Sequence, residues 1–266
     1  MAEALRGGEG SHAHRQGMLR NLANSNPRAK ALYGKLRYEV TKGTLRSWWH
    51  AGTAGHVLRK AAIRRFLAGD GPRYLQVGGG YHVKRGDGWL NADIIAGDIY
   101  LNAIGRIPLP DASIDLVFTE QFIEHLPQEG GLVFLREALR VLKPGGVLRQ
   151  STPDLNRLIS VYLDQASGVS RQTVVDRHIN VHRPNDAQIM PNGCQYINDQ
   201  MRMWAHQFIY DEETMQAALE SVGFTAVKFC SFGESSHPAM QNLERHADSD
   251  WMKTEISMFC EAERPR

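Results

Sequence analysis

Apolar positions along this chain follow two rhythms. Over 54–67 they recur at helical spacing, with Val57, Leu58, Ala61, Ala62 and Phe66 on one stripe and Arg59, Lys60, Arg64 and Arg65 opposite. The stretch 27–40 repeats that rhythm. From residue 73 onward short apolar runs take over at 73–77, 89–94, 98–101, 114–119 and 146–151, each short enough to be a buried strand. A helix is expected over 130–142, carrying Leu132, Leu135, Leu139 and Leu142 and halting at Lys143-Pro144-Gly145-Gly146. Another is expected over 211–222, opened by Asp211 with Thr214 three residues on and closed by Gly223. Two last apolar runs, 224–230 and 255–261, are joined by a long polar loop. Strands alternating with helices predict an α/β fold with a mostly parallel sheet, and the last pair predicts an antiparallel closing hairpin.

Residues 153–210 interrupt the alternation. Helix-like stretches at 154–165 and 198–208 flank a polar loop dense in His, Asn and Arg. Following the fifth strand, this insertion falls at the carboxyl edge of the sheet, where open α/β folds bind ligands. The organisation expected is a flexible tail over 1–26, a helical cap over 27–72 and a main domain over 73–266. Residues 153–210 are its acceptor-site insertion.

The most informative segment is 73–94. An apolar run ends abruptly in Gly78, Gly79 and Gly80, and a second run ends in Asp93. Glycines let the backbone take positive φ and approach a ligand closely. An acid at the tip of the next strand can take both hydroxyls of a ribose. Together they predict a site for an adenosine-type cofactor.

Composition narrows the setting. With 42% hydrophobic and 23% charged residues in 266, the chain has an ordinary globular balance. No apolar run approaches the roughly 18–20 residues of a membrane span, and no secretory h-region opens the chain. Cys194, Cys230 and Cys260 form neither a disulfide framework nor a zinc pattern. A cytoplasmic protein without a membrane partner is therefore expected. The net charge of +2 hides an asymmetry: through Arg73 there are 14 Lys and Arg against four acids. No nucleic-acid signature accompanies this basic arm, so no nucleic-acid partner is expected. Its helices are assigned to a lid, a homodimer contact or both.

Three further segments follow in order. Ile107-Pro-Leu-Pro-Asp-Ala-Ser-Ile-Asp-Leu-Val-Phe-Thr-Glu leads into the fourth strand, Gln121-Phe-Ile-Glu-His-Leu follows it, and Leu135-Arg-Glu-Ala-Leu-Arg-Val-Leu-Lys-Pro-Gly-Gly-Val-Leu precedes the fifth. In that order the set resembles the class I S-adenosylmethionine-dependent methyltransferases, over roughly residues 73–152. Ser151-Thr-Pro-Asp-Leu, His206-Gln-Phe-Ile-Tyr-Asp and Gly233-Glu-Ser are similar to a small-molecule subset of them. The resemblance implies a Rossmann-like sheet, S-adenosylmethionine as cofactor and a small-molecule acceptor, with a hydroxyl of a sugar or secondary metabolite favoured. It implies that Gly78, Gly79 and Gly80 pass beneath the cofactor and that Asp93, followed by Ile94, holds its ribose. Asn102 and Ala103 stand beside the adenine, and Glu120 and Gln121 line the methionine side. The family's usual acid before the glycines is Gln76 here, and its usual adenine-facing acid is Asn102.

In-line methyl transfer requires mainly alignment, plus removal of a proton from a hydroxyl acceptor, which a neutral His can accept near pH 7. His125, His178, His182 and His206 are the candidates, with His206 and His125 favoured and Asp154 as an orienting group. Tyr196, Asn198, Arg202 and Tyr210 are expected to line the acceptor pocket. His178 and His182 stand four apart and would share a helix face, but with no third ligand at a defined spacing no metal is expected. Trp48 and Trp49 are expected to pack on the core. Two alternatives remain: one keeps the cofactor but uses other sulfonium chemistry (intramolecular cyclisation or aminobutyryl transfer), and the other is a non-catalytic binding protein that keeps the fold and binds cofactor weakly or not at all. A nicotinamide-dependent oxidoreductase is disfavoured because Val83 stands where G-x-G-x-x-G needs its last glycine.

Overall fold

The computed structural model describes residues 53–80, 86–94, 97–183, 190–245 and 256–266. The 1–26 tail, the 27–40 helix and the Trp48-Trp49 pair lie outside the described residues. Helix α1 (Thr53–Leu67) precedes a seven-stranded sheet made of β1 (Tyr74–Val77), β2 (Trp89–Asp93), β3 (Ile99–Tyr100), β4 (Ile114–Glu120), β5 (Leu142–Pro153), β6 (Thr225–Cys230) and β7 (Ser257–Glu263). The strand order is β3-β2-β1-β4-β5-β7-β6. The five strands from β3 to β5 run parallel, while β7 is antiparallel to both β5 and β6. The order reverses between β1 and β4, so a crevice opens there at the carboxyl ends of the strands.

The central strands are almost wholly buried, which is why they read as continuous apolar runs rather than alternating ones. Helix α2 (Gln128–Val141) buries Phe134, Leu135, Ala138 and Val141 against them. No loop separates α2 from β5. The helix ends at Val141, just before Lys143-Pro144-Gly145-Gly146 as expected, and that stretch forms an irregularity inside β5: Ile114 pairs with Leu142, and regular pairing resumes at Leu116 with Val147. Gly145 takes φ +75°, and Lys143 Nζ bonds Asp115 Oδ1 at 2.7 Å across the gap. Because pairing lapses there, only 146–151 carried a strand pattern.

The insertion contains α3 (Leu155–Tyr162), α4 (Arg171–His182) and α5 (Gly193–Arg202), followed by α6 (Glu212–Val222), which rejoins the main domain. The helix expected over 198–208 is instead α5, beginning earlier and stopping at Arg202. There Trp204 and Ala205 adopt left-handed φ values of 58° and 66°. Leu158, Val161, Val174, Val175 and Tyr196 form a hydrophobic core separate from that of the sheet, joined by Ile209 and Ile256. Helix α6 begins and ends as its sequence indicates: Asp211 Oδ1 accepts from Thr214 N at 2.8 Å, and Gly223 takes φ +106°.

One buried ion cluster anchors the chain's last loop. Arg149 on β5 donates from Nε to Glu244 Oε1 and from Nη1 to Glu261 Oε1, each at 2.7 Å. A third bond, to the Glu234 carbonyl, ties 234–244 to the sheet. The loop then delivers the Arg245 amide to Glu120 Oε1 at 2.6 Å, at the tip of β4.

Candidate active site

The crevice beside the β1–β4 switch point holds the glycine turn. Gly78 has φ +74° and Gly80 φ +51°, so two of the three glycines occupy backbone regions that side chains rarely adopt. A Cβ on Gly78 would lie 2.0 Å from Phe122 Cδ2, so the turn packs directly on the first residue beyond Gln121. A Cβ on Gly79 would lie 2.4 Å from Gln76 Nε2. Gln76 is buried and supports the turn from beneath. Gly80 has space around it among the described residues, and its amide donates to Asp93 Oδ2 at 3.0 Å. The buried Asp93 ends β2 facing the turn, and the half-buried Ile94 follows.

On the flanks, Asn102 is exposed and its Oδ1 accepts from Ile104 N at 3.3 Å, capping its own turn, while Ala103 is buried. Glu120 is buried at the end of β4. Gln121, at φ 48°, donates from Nε2 to Ser257 Oγ at 3.1 Å. With the glycine turn and Asp93, these residues stand at the ends of four strands, β1 to β4. The features fit an adenosine cofactor: an acid at the tip of β2 and a backbone turn beside it that no Cβ fills.

A second group of polar side chains directly follows Phe122. A short 3-10 helix (Ile123–His125) carries Glu124 and His125. Glu124 is fully buried; its Oε2 accepts from Thr152 Oγ1 at 2.9 Å, and its Oε1 has no partner. Burial pushes this carboxyl up to about 8. The Glu124 carbonyl takes both the Gln207 and Phe208 amides, and Gln207 Nε2 donates to the His125 carbonyl at 2.7 Å. These bonds bring His206 to His125, with ring centroids 4.9 Å apart. One ligand-type atom from each of Glu124, His125 and His206 lies within 4.8 Å of the others.

His206 Nδ1 is 2.6 Å from the Gln200 carbonyl, which can only accept, so Nδ1 carries the proton and Nε2 the lone pair. Burial lowers the His206 pKa and keeps the ring neutral. The left-handed pair Trp204 and Ala205 directly precedes it, a costly backbone of the kind concentrated at functional sites. Trp204 stays 42% exposed and touches the rings of both His206 and His182.

The other expected residues have different surroundings. Asp154 is buried, caps α3 by accepting from the Asn156 amide at 2.9 Å and pairs with Arg157 at 3.2 Å. Tyr210 is buried, its backbone pairs with Asp154, and its hydroxyl lies where a Cβ on Gly131 would be 2.6 Å away. Tyr196 is buried in the insertion core, with burial raising its hydroxyl pKa. Asn198 and Arg202 are exposed on α5. His178 and His182 share a face of α4, 5.0 Å apart. His178 binds Asp199 at 3.0 Å, and Asp199 also takes two bonds from Arg183. Glu124 and Thr152 escaped sequence reasoning. They meet only through space, and only the Glu-His pair hinted at the former.

A parallel sheet of this order with β7 inserted antiparallel, a glycine turn after β1 and an acid ending β2 is the fold of the class I S-adenosylmethionine-dependent methyltransferases. Sequence comparison agrees: residues 83–149 match the profile of the family described as "Methyltransferase domain". A probable S-adenosylmethionine-dependent methyltransferase of Mycolicibacterium smegmatis is 47% identical over 57 residues, 21% of either chain. A malonyl-[acyl-carrier protein] O-methyltransferase of Yersinia pestis is 29% identical over 132 residues, 49% of this chain and 46% of its own. The chain thus spans less than half the length of either relative. Among solved structures, an S-adenosylmethionine-dependent methyltransferase of Archaeoglobus fulgidus superposes with a TM-score of 0.43 at 18% identity, covering 87% of this chain and 99% of its own. S-adenosylmethionine is the cofactor that the family match and the sequence relatives imply. Among the described residues, no helix is long and apolar enough to cross a membrane.

Proposed function

We propose that this chain methylates a hydroxyl group of a small molecule, with S-adenosylmethionine as donor. The observation that carries the reading is the contact between Gly78 and Phe122. Phe122 packs on the glycine turn and lies two residues before Glu124 of the Glu124–His125–His206 cluster, which supports neighbouring donor and acceptor sites. When bound, the cofactor supplies an electrophilic methyl group on sulfur. Asp93 holds the ribose hydroxyls, the turn at Gly78, Gly79 and Gly80 admits the cofactor's backbone-facing edge, and Glu120 with Gln121 borders the methionine end. Gln76 braces the turn, and Asn102 with Ala103 shapes the adenine end.

The acceptor sits under the insertion with its hydroxyl toward His125 and His206, where it loses its proton. Trp204 offers an apolar face, and Asn198 and Arg202 offer polar contacts at the rim. The buried Tyr196, Tyr210 and Asp154 hold the insertion in place over the strand ends rather than touch the acceptor. A hydroxyl is favoured over an amine because two imidazoles and a carboxyl converge within 4.8 Å, a set that can promote loss of a hydroxyl proton, which an unprotonated amine does not need.

The test is to incubate the protein with S-adenosylmethionine and a panel of hydroxylated small molecules, then analyse the nucleoside product. S-adenosylhomocysteine formed only with an acceptor supports the reading. Methylthioadenosine would instead show attack on the aminobutyryl chain, and absence of either product together with weak or absent cofactor binding would favour a non-catalytic protein.

A further inference from the structure

We propose that Glu124, His125 and His206 bind a divalent transition ion, zinc in chemical type, which takes the acceptor hydroxyl as its open ligand. This deepens the methyl-transfer reading and rests on it for the identity of the acceptor. The three side chains come from two segments held together by the Glu124 carbonyl and Gln207 bonds, with ligand-type atoms within 4.8 Å. Two imidazoles and one carboxylate form a donor set suited to zinc-like ions, with a fourth position left for substrate. Magnesium and calcium prefer all-oxygen sets.

Three details of the surroundings point to a cation. First, Glu124 is fully buried, yet Oε1 has no partner while Oε2 is taken by Thr152. An orphaned buried carboxylate oxygen is costly, and a bound cation satisfies it. Second, the Gln200 carbonyl holds the proton of His206 on Nδ1, the second-sphere contact that leaves Nε2 as the metal-binding nitrogen. Third, the side-chain partner of Glu124 is neutral Thr152, and no Lys or Arg bonds to it among the described residues. Zinc bonds of about 2.1 Å place tetrahedral ligands about 3.4 Å apart, so the cluster tightens by roughly 1 Å on binding.

The ion lowers the pKa of a hydroxyl bound to it, as it does for water. The O–H bond breaks, its electron pair stays on oxygen and the proton passes to bulk water. No oxidant or reductant takes part. His125 and His206 then act as ligands, and the hydroxyl is activated without either imidazole storing the proton.

The experiment titrates Co2+ into chelator-washed, tag-free full-length protein and follows its visible absorption, with calorimetric binding of S-adenosylmethionine measured on the same samples. One Co2+ per chain is expected, displaced by Zn2+. His125→Asn, His206→Asn and Glu124→Gln should each weaken binding at least ~10-fold, while His182→Asn leaves it unchanged. If a variant does not unfold cooperatively, protection of His206 from diethylpyrocarbonate by Zn2+ in the unmutated protein replaces it. Absent Co2+ absorption, or binding lost in His182→Asn and kept in His206→Asn, overturns the inference. With cofactor binding intact, that failure leaves the methyltransferase reading standing. Loss of cofactor binding with Co2+ retained would do the opposite.

Discussion

His125 and His206 face each other with ring centroids 4.9 Å apart, one on the turn after β4 and the other beyond the whole helical insertion. The contact ties the function of the insertion to the sheet: moving either segment separates the pair. The Glu124 carbonyl, which accepts both the Gln207 and Phe208 amides, is the hinge of that arrangement.

Gly78→Ala should disable the cofactor site by distorting it. Its φ of +74° disfavours any side chain, and the new methyl would sit 2.0 Å from Phe122 Cδ2. Left-handed strain and overpacking together should cost roughly 2–4 kcal/mol of stability. Urea denaturation of Gly78→Ala, Phe122→Leu and the double variant checks this. Part of the loss should return in the double variant, because the clash is relieved while the φ strain remains. Full additivity would mean the two residues do not touch.

The insertion should weaken in mild acid through His178. Burial lowers its pKa, and its bond to Asp199 opposes that shift without cancelling it; Arg183 and His182 also face it. Folded protein then binds fewer protons at His178 than unfolded protein, whose imidazole titrates near 6.5. Its contribution is therefore complete above about pH 6.5 and is lost as pH falls through the lowered folded value. His182 and His206 act in the same direction, whereas Glu124, raised to about 8, loses stability as pH rises. His178 must for that reason be read by difference: urea midpoints at pH 7.5 and 5.5 should diverge less in His178→Gln than in the unmutated protein. Equal divergence would remove His178 as a source.

Thiol labelling should order the three cysteines by their place in the fold. Cys194 is exposed on α5, Cys230 is half-buried at the end of β6 and Cys260 is buried in β7 with its thiol pushed up to about 12. With an aromatic disulfide reagent at pH 8, Cys194 should react first and Cys260 only on unfolding. Fast labelling of Cys260 would contradict the placement of β7 within the sheet, antiparallel between β5 and β6.

Much of the fold was legible because its signals are local. Five parallel strands showed as apolar runs, the turn as three glycines and the acid ending β2 as Asp93. Helix α6 carried its own stop and start in Asp211 and Gly223. The insertion was read poorly for physical reasons. Helix α4 buries only Val174, Val175 and His178, too narrow a stripe for periodicity to reveal. Helix α5 ends at a left-handed pair, Trp204 and Ala205, that neither glycine nor proline announces. The cluster at Glu124 exists only through space, since Thr152, His206 and Gln207 reach it from distant segments. Asp154 illustrates the reverse: a carboxylate that suggests chemistry in sequence caps a helix in the fold.

The central claim is that Asp93 and the glycine turn hold S-adenosylmethionine. Calorimetric titration of the protein and of Asp93→Ala with S-adenosylmethionine and S-adenosylhomocysteine tests it most directly. The account predicts micromolar binding of both ligands, about −8 kcal/mol, weakened at least ~100-fold in Asp93→Ala while the melting temperature changes little. No binding by the unmutated protein, or equal binding by the variant, would contradict it.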